Sequence, residues 1–500
     1  MKYGVVPLGK DQSETAKDYI AQLEGAAKGV FHTFVIGVYF FPLLGGYLAD
    51  RYFGKYNTIL WFSLIYSVGQ GCLALFIDEK WGFYTGLGLI ALGSGGIKPL
   101  VASFMGDQFD SRTKHLAKLV FDGFYWIINF GSFFASLLMP LFLEHLGPRI
   151  AFGIPGVLML TATVVFWLAR DRYVRIDPPP RNPDSFLRVV ETVLASGGLG
   201  LALAITGGLL GVGAIVLSVV GWLEIVPALC LALLLVLVFG GIGTSTQLER
   251  ARGKHPDEAV DGVRAVLKVL VVFFLITPFW SLFDQKASTW VIQAKDMTKP
   301  EWFKPAMMQA LNPALVMVLL PFNNIVLYPL LRSRGWNLSA LRKMTVGIAL
   351  AAIAWIIVGI FQIVIDGGDS FSIVWQILPY AFLTMGEVLV SATGLEFAYS
   401  QAPPSMKGAI MSFFNLSVTM GNLWVLLSDA GVKNATVTAA IEEQGMSTVG
   451  FLMFFFAGFA LVAALVFHLF ARRYQEVDHY RGGDGKPPAI PAARVVPPER

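Results

Sequence analysis

A few ionisable side chains interrupt segments that are otherwise apolar enough to cross a lipid bilayer. Lys98 is the only charge in the stretch Gly82 to Met105. A charge in the hydrocarbon region costs roughly 2.5 to 3.5 kcal/mol on insertion scales, so such a residue is by default a functional candidate. The other ionisable residues inside apolar segments are His32, Asp284, Glu387 and Glu396. One base, several acids and a histidine on different segments favour a proton-coupled carrier, because carboxylates and imidazole can change charge near neutral pH in suitable surroundings.

The same residue types also suit a zwitterionic substrate. A lysine can hold a carboxylate, while an acid helped by amide groups holds an ammonium group. Polar residues at similar depth are Asn129, Asn312, Gln70 and Ser391.

Each candidate also has a purely structural explanation that the pattern leaves open. Lys98 and Glu387 could form an ion pair that only stabilises the fold. Asp284 could lie near a helix end that faces water, and His32 could bond a backbone carbonyl. With 13% aromatic residues in the chain, packing or the membrane interface could account for Tyr39, Trp280 and Phe414.

The composition predicts an all-α polytopic membrane protein. Of the 500 residues, 55% are hydrophobic and 14% charged, which excludes an ordinary soluble domain. Apolar segments near the roughly 20 residues of a spanning helix recur along the chain. We predict thirteen spans, at residues 26–49, 56–77, 82–106, 119–143, 151–169, 197–220, 223–246, 264–292, 306–331, 343–365, 372–400, 406–429 and 448–471.

Lysine and arginine cluster in alternate loops, and such loops stay on the cytoplasmic side. This pattern places residues 10–29 outside and the C-terminal tail, residues 474–500, in the cytoplasm, with the chain in the cell (inner) membrane. The tail is rich in Pro and Arg and is expected to be disordered. The basic loops account for the net charge of +4, so no nucleic-acid partner is expected.

A proline-rich stretch at residues 171–184 divides the chain. We predict an N-terminal bundle at 1–170, a linker with two inserted, peripheral helices at 171–262, a C-terminal bundle at 263–473 and the tail at 474–500. Glycines before Lys98 predict close approach to a neighbouring helix, with or without a bend at Pro99. No HExxH, GxSxG or Cys/His cluster occurs, so neither an enzyme nor a metal site is expected.

Five segments go beyond composition. Gly45–Ile59 (GGYLADRYFGKYNTI) resembles the signature loop of the major facilitator superfamily in the form found in proton-dependent oligopeptide transporters. Phe121–Phe133 (FDGFYWIINFGSF) is similar to that family's second signature. Gly93–Phe109, Phe279–Ser288 and Thr393–Pro403 resemble segments of the animal peptide transporters. The likeness runs from about residue 1 to residue 473.

The resemblance implies two six-helix bundles with a central site and, as in bacterial members, two extra helices between the halves. It implies that Lys98 and Glu387 pair across the cytoplasmic side of the cavity and touch the peptide termini. Asp284 would form an outer gate with a base on the first helix, and His32 would handle protons. The other implied substrate-binding residues are Asn129 and Asn312 at the amino terminus, and Tyr39, Trp280 and Phe414 in the side-chain pockets. We also predict that Ser391, one of the polar residues at depth, binds substrate.

The chain departs from the family pattern in several places. Phe414 stands where many members carry Trp, Asp284 stands where many bacterial members carry Glu, and QKAS replaces the usual QxGS. The family's Glu-x-x-Glu-Arg motif of the first helix is not found, and Lys2 falls on the Arg that would face Asp284. We expect Met1 to be an internal methionine of a longer gene product; the alternative is a degenerate carrier.

The leading hypothesis is a proton-coupled symporter of di- and tripeptides that works by alternating access, with protons as coupling ions, no other cofactor and a monomer as sufficient unit. One alternative is a transporter of another small solute, such as nitrate, histidine or a peptide-like metabolite. The other is a peptide receptor that does not transport.

Overall fold

The computed structural model of the protein describes residues 10–109, 113–175, 178, 183–223, 225–336, 338–369, 371–401, 407–432 and 435–474. Within these residues the chain is helical and forms no β-strand, which confirms the prediction of an all-α protein. The helices are α1 (Lys10–Leu48), α2 (Gly54–Leu75), α3 (Lys80–Asp107), α4 (Lys114–His145), α5 (Pro148–Leu168), α6 (Phe186–Ala195), α7 (Gly198–Val219), α8 (Ile225–Thr246), α9 (Asp257–Leu275), α10 (Thr277–Asp284), α11 (Thr289–Asp296), α12 (Leu311–Phe322), α13 (Tyr328–Ser333), α14 (Ala340–Asp366), α15 (Ile377–Glu387), α16 (Thr393–Gln401), α17 (Lys407–Val432), α18 (Ala435–Glu443) and α19 (Thr448–Arg473).

Eleven stretches of the described chain are long and apolar enough to cross a membrane, and the first, Leu23–Leu75, contains most of α1 and all of α2. Every predicted span coincides with one or more helices. The predicted start of the first span at about residue 26 lies close to the start of the apolar stretch at Leu23. Helix α1 itself begins earlier, at Lys10, and residues 10–24 contain no Gly or Pro and several good helix formers.

Two breaks in the helices of the second half position the acidic residues. A 3₁₀ turn, Gln285–Ala287, separates α10 from α11. A π-helical segment, Val388–Ala392, separates α15 from α16. Asp284 is therefore the last residue of α10, and Glu387 is the last residue of α15. Such π-helical segments are frequent at functional sites.

The helices form two bundles that meet along α1 and along α4, which packs against α12 and residues 305–310. In the first half of the chain α3 packs against α1 and α2, and α2 packs against α5. In the second half α14 packs against α15 and α19, and α10 packs against α17. Helix α1 also packs against α17 and so joins the halves. Helices α7 and α8 pack mainly against each other, while α8 also touches α9 and α17, as expected for a peripheral pair. The four region bounds stay predictions, and residues 475–500 lie outside the described chain.

Glycines bring α3 close to its neighbours. A Cβ added at Gly95 would lie 2.6 Å from the carbonyl carbon of Phe41 on α1, and one at Gly96 would lie 2.2 Å from Cγ of Phe62 on α2. Small residues permit such approach between membrane helices, where packing replaces the hydrophobic driving force. Helix α3 continues through Pro99 as a single helix. The glycines therefore serve close packing.

Three ion pairs join the two bundles at the end where α1 begins. Each connects α1 or α4 to an element of the second half. The other ion pairs between described residues lie within one half or within the connecting region, so in this part of the chain none joins the bundles at the opposite end. These interbundle ion pairs, with their N-to-O distances, are Lys28–Asp429 (2.9 Å), Lys295–Glu24 (2.5 Å) and Lys304–Glu144 (2.7 Å).

We expect Gly95→Ala to destabilise the protein, since its methyl group would collide with the backbone of α1, which cannot move away as a flexible side chain can. Overpacking of this kind costs about 1–3 kcal/mol. The measurement is the thermal unfolding midpoint in detergent. Gly88→Ala, on the same helix and with no atom within 4 Å of the added Cβ, is the control. It should leave the midpoint unchanged or raise it, and equal midpoints for both variants would contradict the packing argument.

Candidate functional site

Lys98 lies on α3 where the two bundles meet. Its Nζ is 3.9 Å from the centre of the Tyr39 ring on α1. Tyr39 packs in turn against the hydrophobic core of the C-terminal bundle. The Lys98 side chain is exposed, and among the described residues it forms no ion pair or hydrogen bond. A cation–π contact at an exposed site contributes only about 0.5–1 kcal/mol, so the ammonium group remains available to an anionic ligand.

Glu387 is held by a side-chain amide from another helix of the same bundle. Asn312 Nδ2 on α12 donates to Glu387 Oε2 at 2.6 Å and to Thr384 Oγ1 at 3.1 Å. Ser391 follows in the π-helical segment directly after α15. Asn312 is thus bonded to this acid, and its contact with a peptide amino terminus stays a prediction. The amide stabilises the carboxylate and leaves part of its hydrogen-bonding capacity for another donor.

The structure does not bring Lys98 and Glu387 together. These two described side chains form no ion pair, neither the predicted pair across the cavity nor a structural one. The physical reason is their placement. Lys98 makes a cation–π contact with Tyr39 in the first half of the chain, while Glu387 is hydrogen-bonded to Asn312 within the second bundle. A base and an acid therefore lie on opposite sides of the junction, each without a charged partner in direct contact.

The remaining predicted substrate residues are distributed over both bundles. Asn129 on α4 donates its amide to the carbonyl of Tyr125 on its own helix, at 2.9 Å. Trp280 and Phe414 are each 6% exposed and meet edge to face with their ring centres 6.2 Å apart. Both belong to the C-terminal core, so packing accounts for them in this conformation. Their contacts to a substrate stay predictions. The side chain of Glu396 is not among the described ones.

A buried hydrogen-bonded chain links the two bundles. His32 on α1 is fully buried, and its Nδ1 lies 2.6 Å from Asn422 Oδ1 on α17. Asn422 Nδ2 donates to Asp284 Oδ2 at 2.5 Å and to the Val418 carbonyl at 3.0 Å. On its other side, His32 Nε2 lies 3.0 Å from Ser288 Oγ. His32 therefore bonds two side chains of the opposite bundle, and neither of these partners is the backbone carbonyl that was one of its two open explanations.

The hydrogen-bond partners decide the proton positions in this chain. Because both amide hydrogens of Asn422 point at acceptors, its oxygen faces His32 and the Nδ1 atom must donate. In the neutral imidazole Nε2 then accepts the Ser288 hydroxyl proton. In the protonated ring Nε2 donates instead, and the hydroxyl can turn to the Gln285 carbonyl, 3.3 Å away. His32 can thus gain or lose a proton without losing either bond.

Sequence reasoning missed Asn422, Ser288 and Lys286. Asn422 could have been found by the rule that selected Asn129 and Asn312, namely an amide inside an apolar span. Lys286 is an ionisable residue two positions after Asp284 in the same segment, and it is only 9% exposed. The predicted partner of Asp284, Lys2, lies outside the described residues.

In a comparison with sequence models of protein families, the POT family model matches residues 56–445. Among curated proteins, the chain is 31% identical over 414 residues to solute carrier family 15 member 2 of Mus musculus, covering 78% of this chain and 51% of the relative. It is 32% identical over 362 residues to the Homo sapiens protein of that name, covering 69% and 44%. The chain thus spans about half the length of the curated relatives that it matches.

Two solved structures are much more similar, over about nine tenths of both chains. One is described as an auto-inhibited POT family peptide transporter, with 62% identity, a TM-score of 0.89 and coverage of 92% of this chain and 91% of that one. The other is the POT family transporter PepTSo, with 64% identity, a TM-score of 0.88 and 91% coverage of both. These likenesses confirm the predicted major facilitator fold and agree with a carrier rather than an enzyme. Since the family model also matches most of its length, the chain belongs to the POT family.

Proposed function

We propose that the protein is a proton-coupled symporter of di- and tripeptides in the cell inner membrane, working by alternating access as a monomer. The observation that carries the proposal is the pair of unlike charges on opposite bundles, Lys98 beside Tyr39 and Glu387 beside Asn312. Membership in the POT family and the similarity to two solved transporters of that family support it.

A peptide carries one unlike charge at each end and can satisfy both groups at once. Its carboxylate would bind the Lys98 ammonium, and its amino terminus would bind Glu387 with the help of Asn312. Both are charge-assisted hydrogen bonds, the stronger kind. Because the two residues belong to different bundles, the bound peptide would attract the bundles to each other. Substrate binding would therefore favour closure of the site.

The interbundle ion pairs fit one stage of such a cycle. Arginine- and lysine-rich loops stay cytoplasmic, which puts the end containing Lys28 outside and the C-terminal tail inside. The three pairs then hold the outer end closed, and the Lys28–Asp429 pair is largely shielded from water. All three pairs fit a stage of the cycle in which the outer end is closed.

The His32–Asn422–Asp284 chain supplies a place for the coupled proton. Protonating Asp284 would weaken its charged bond to Asn422, and protonating His32 would place a positive charge at the junction. Either event changes the contact between α1 and the second bundle. An inward proton also gains roughly 2.3 kcal/mol per 100 mV of membrane potential, which can drive accumulation of the peptide.

The variants Lys98→Ala and Glu387→Ala should each abolish proton-driven dipeptide uptake in liposomes while the protein still folds. A hydrogen bond to a charged group contributes about 1.5–3 kcal/mol. Dipeptide affinity should therefore fall by about ten- to a hundredfold. The measurements are uptake under an imposed pH gradient and dipeptide binding by calorimetry.

The matched control is Lys254→Ala, which removes an exposed lysine outside the site. Native uptake by either site variant would refute the roles of these residues. Competition by nitrate or free histidine, but not by other dipeptides, would show that the substrate is another small solute. Dipeptide binding without uptake or counterflow would show a receptor.

We expect Asn422→Ala to uncouple transport, because it removes the amide that joins His32 to Asp284. Dipeptide counterflow without a pH gradient should persist, whereas proton-driven accumulation should fall by roughly tenfold, a change of about 1.4 kcal/mol. Asn57→Ala, which removes an exposed amide bonded only to its own helix, is the control. Equal loss of counterflow and accumulation in Asn422→Ala would argue against a coupling role.

A further inference from the structure

Lys286 is a buried charge that the mechanism above does not use. It lies in the 3₁₀ turn Gln285–Ala287 and is 9% exposed. Its Nζ is 3.0 Å from the centre of the Phe283 ring. Among the described side chains it has no hydrogen bond and no ion pair. Burying an ammonium group costs more free energy than one cation–π contact returns, so its position requires further negative charge nearby.

Two acids supply that charge without contacting the lysine directly. Lys286 lies within electrostatic range of both Glu387 and Asp284. Asp284 precedes it by two residues at the end of α10. The turn that carries Lys286 also packs against residues 305–310, which lead into α12 and its Asn312, the amide bonded to Glu387. The lysine is therefore flanked by the acid of the buried chain and the acid of the substrate site.

Each acid already has a neutral partner, and the lysine is bound to neither. Asp284 accepts from Asn422, and Glu387 accepts from Asn312. An amide carries no net charge, so neither partner can balance the charge of its acid. Two ionised acids around one ammonium leave one negative charge in excess, whereas a single proton on either acid makes the group neutral. Other charged or titratable groups among the described residues that act on these acids are Lys98 on Asp284, Tyr125 of α4 on Glu387, and His32 across Asn422.

We propose that Lys286 is the counter-ion shared by Asp284 and Glu387, and that it moves toward whichever acid is ionised. The lysine keeps its own proton throughout, and the coupled proton resides on the other acid. A proton arriving at Asp284 would thereby strengthen the hold of Lys286 on Glu387 and change how Glu387 receives the amino group of the cargo. This inference rests on the proposed function. It makes Lys286 a positioning residue, which acts through Glu387 to couple proton binding to substrate binding.

The test compares Lys286→Gln and Lys286→Arg with the native chain in liposomes, using a dipeptide as probe. Lys286→Gln should keep dipeptide counterflow within about twofold of native but lose proton-driven accumulation by about tenfold or more, together with its dependence on external pH. Lys286→Arg retains the charge and should restore part of that pH dependence. The matched control, Lys268→Gln, removes an exposed lysine from α9 of the same span and should behave as native.

Lys286→Gln with native accumulation and a native pH profile would overturn the proposal. Loss of counterflow equal to the loss of accumulation would also overturn it, since Lys286 would then serve binding or folding alone. If Lys286→Gln does not fold, the proposal is tested by thermal unfolding midpoints of three further variants. These are Lys286→Arg, Glu387→Gln and the double variant Lys286→Gln/Glu387→Gln. Recovery of folding in the double variant supports a shared counter-ion, and no recovery contradicts it. Absence of counterflow in the native chain would instead refute the proposed function.

Discussion

The hydrogen bond between His32 and Asn422 joins the two bundles inside a largely apolar protein, and the polar groups around it depend on that bond. His32 belongs to α1 and Asn422 to α17, so the contact crosses the junction. Buried polar groups are costly unless each finds a partner, and here the imidazole, the amide and the Asp284 carboxylate satisfy one another. Removing one member would leave the others unsatisfied, which makes the chain a single unit rather than separate contacts.

The charged residues are under the same need for partners, but they meet it differently at one end of the molecule and at its centre. At one end lysines and acids of opposite bundles are paired, and the bundles are held together. Toward the centre, Lys98, Lys286 and Glu387 have no ion-pair partner among the described residues. Charges without direct partners at the centre of a membrane protein must obtain compensation from water, from a ligand or from a change of conformation. The transport of a zwitterionic cargo proposed above would use all three.

The fold was predictable to a large extent because the membrane imposes its own regularities. Long apolar stretches marked each span, and glycines before Lys98 indicated the close approach of α3 to α1 and α2, as Gly95 and Gly96 show. The breaks were less predictable. The spacing of apolar residues does not predict that α10 ends at Asp284 or that a π-helical segment follows Glu387, because both breaks depend on packing with neighbouring helices. The apolar pattern marked the membrane span but not the earlier start of α1 at Lys10, because residues 10–15 are polar.

By itself the sequence determined which residues carry a free-energy penalty in the membrane and are therefore candidates for function. Lys98, His32, Asp284 and Glu387 stand out because charge in a hydrocarbon environment carries a large free-energy penalty, whatever the tertiary structure. Only the tertiary structure decided how they are partnered. It placed Lys98 against Tyr39 rather than Glu387, linked His32 to Asp284 through Asn422, and buried Lys286 between two acids. These contacts join residues up to hundreds of positions apart, and hydrogen bonding depends on distances and angles that residue type and spacing do not encode.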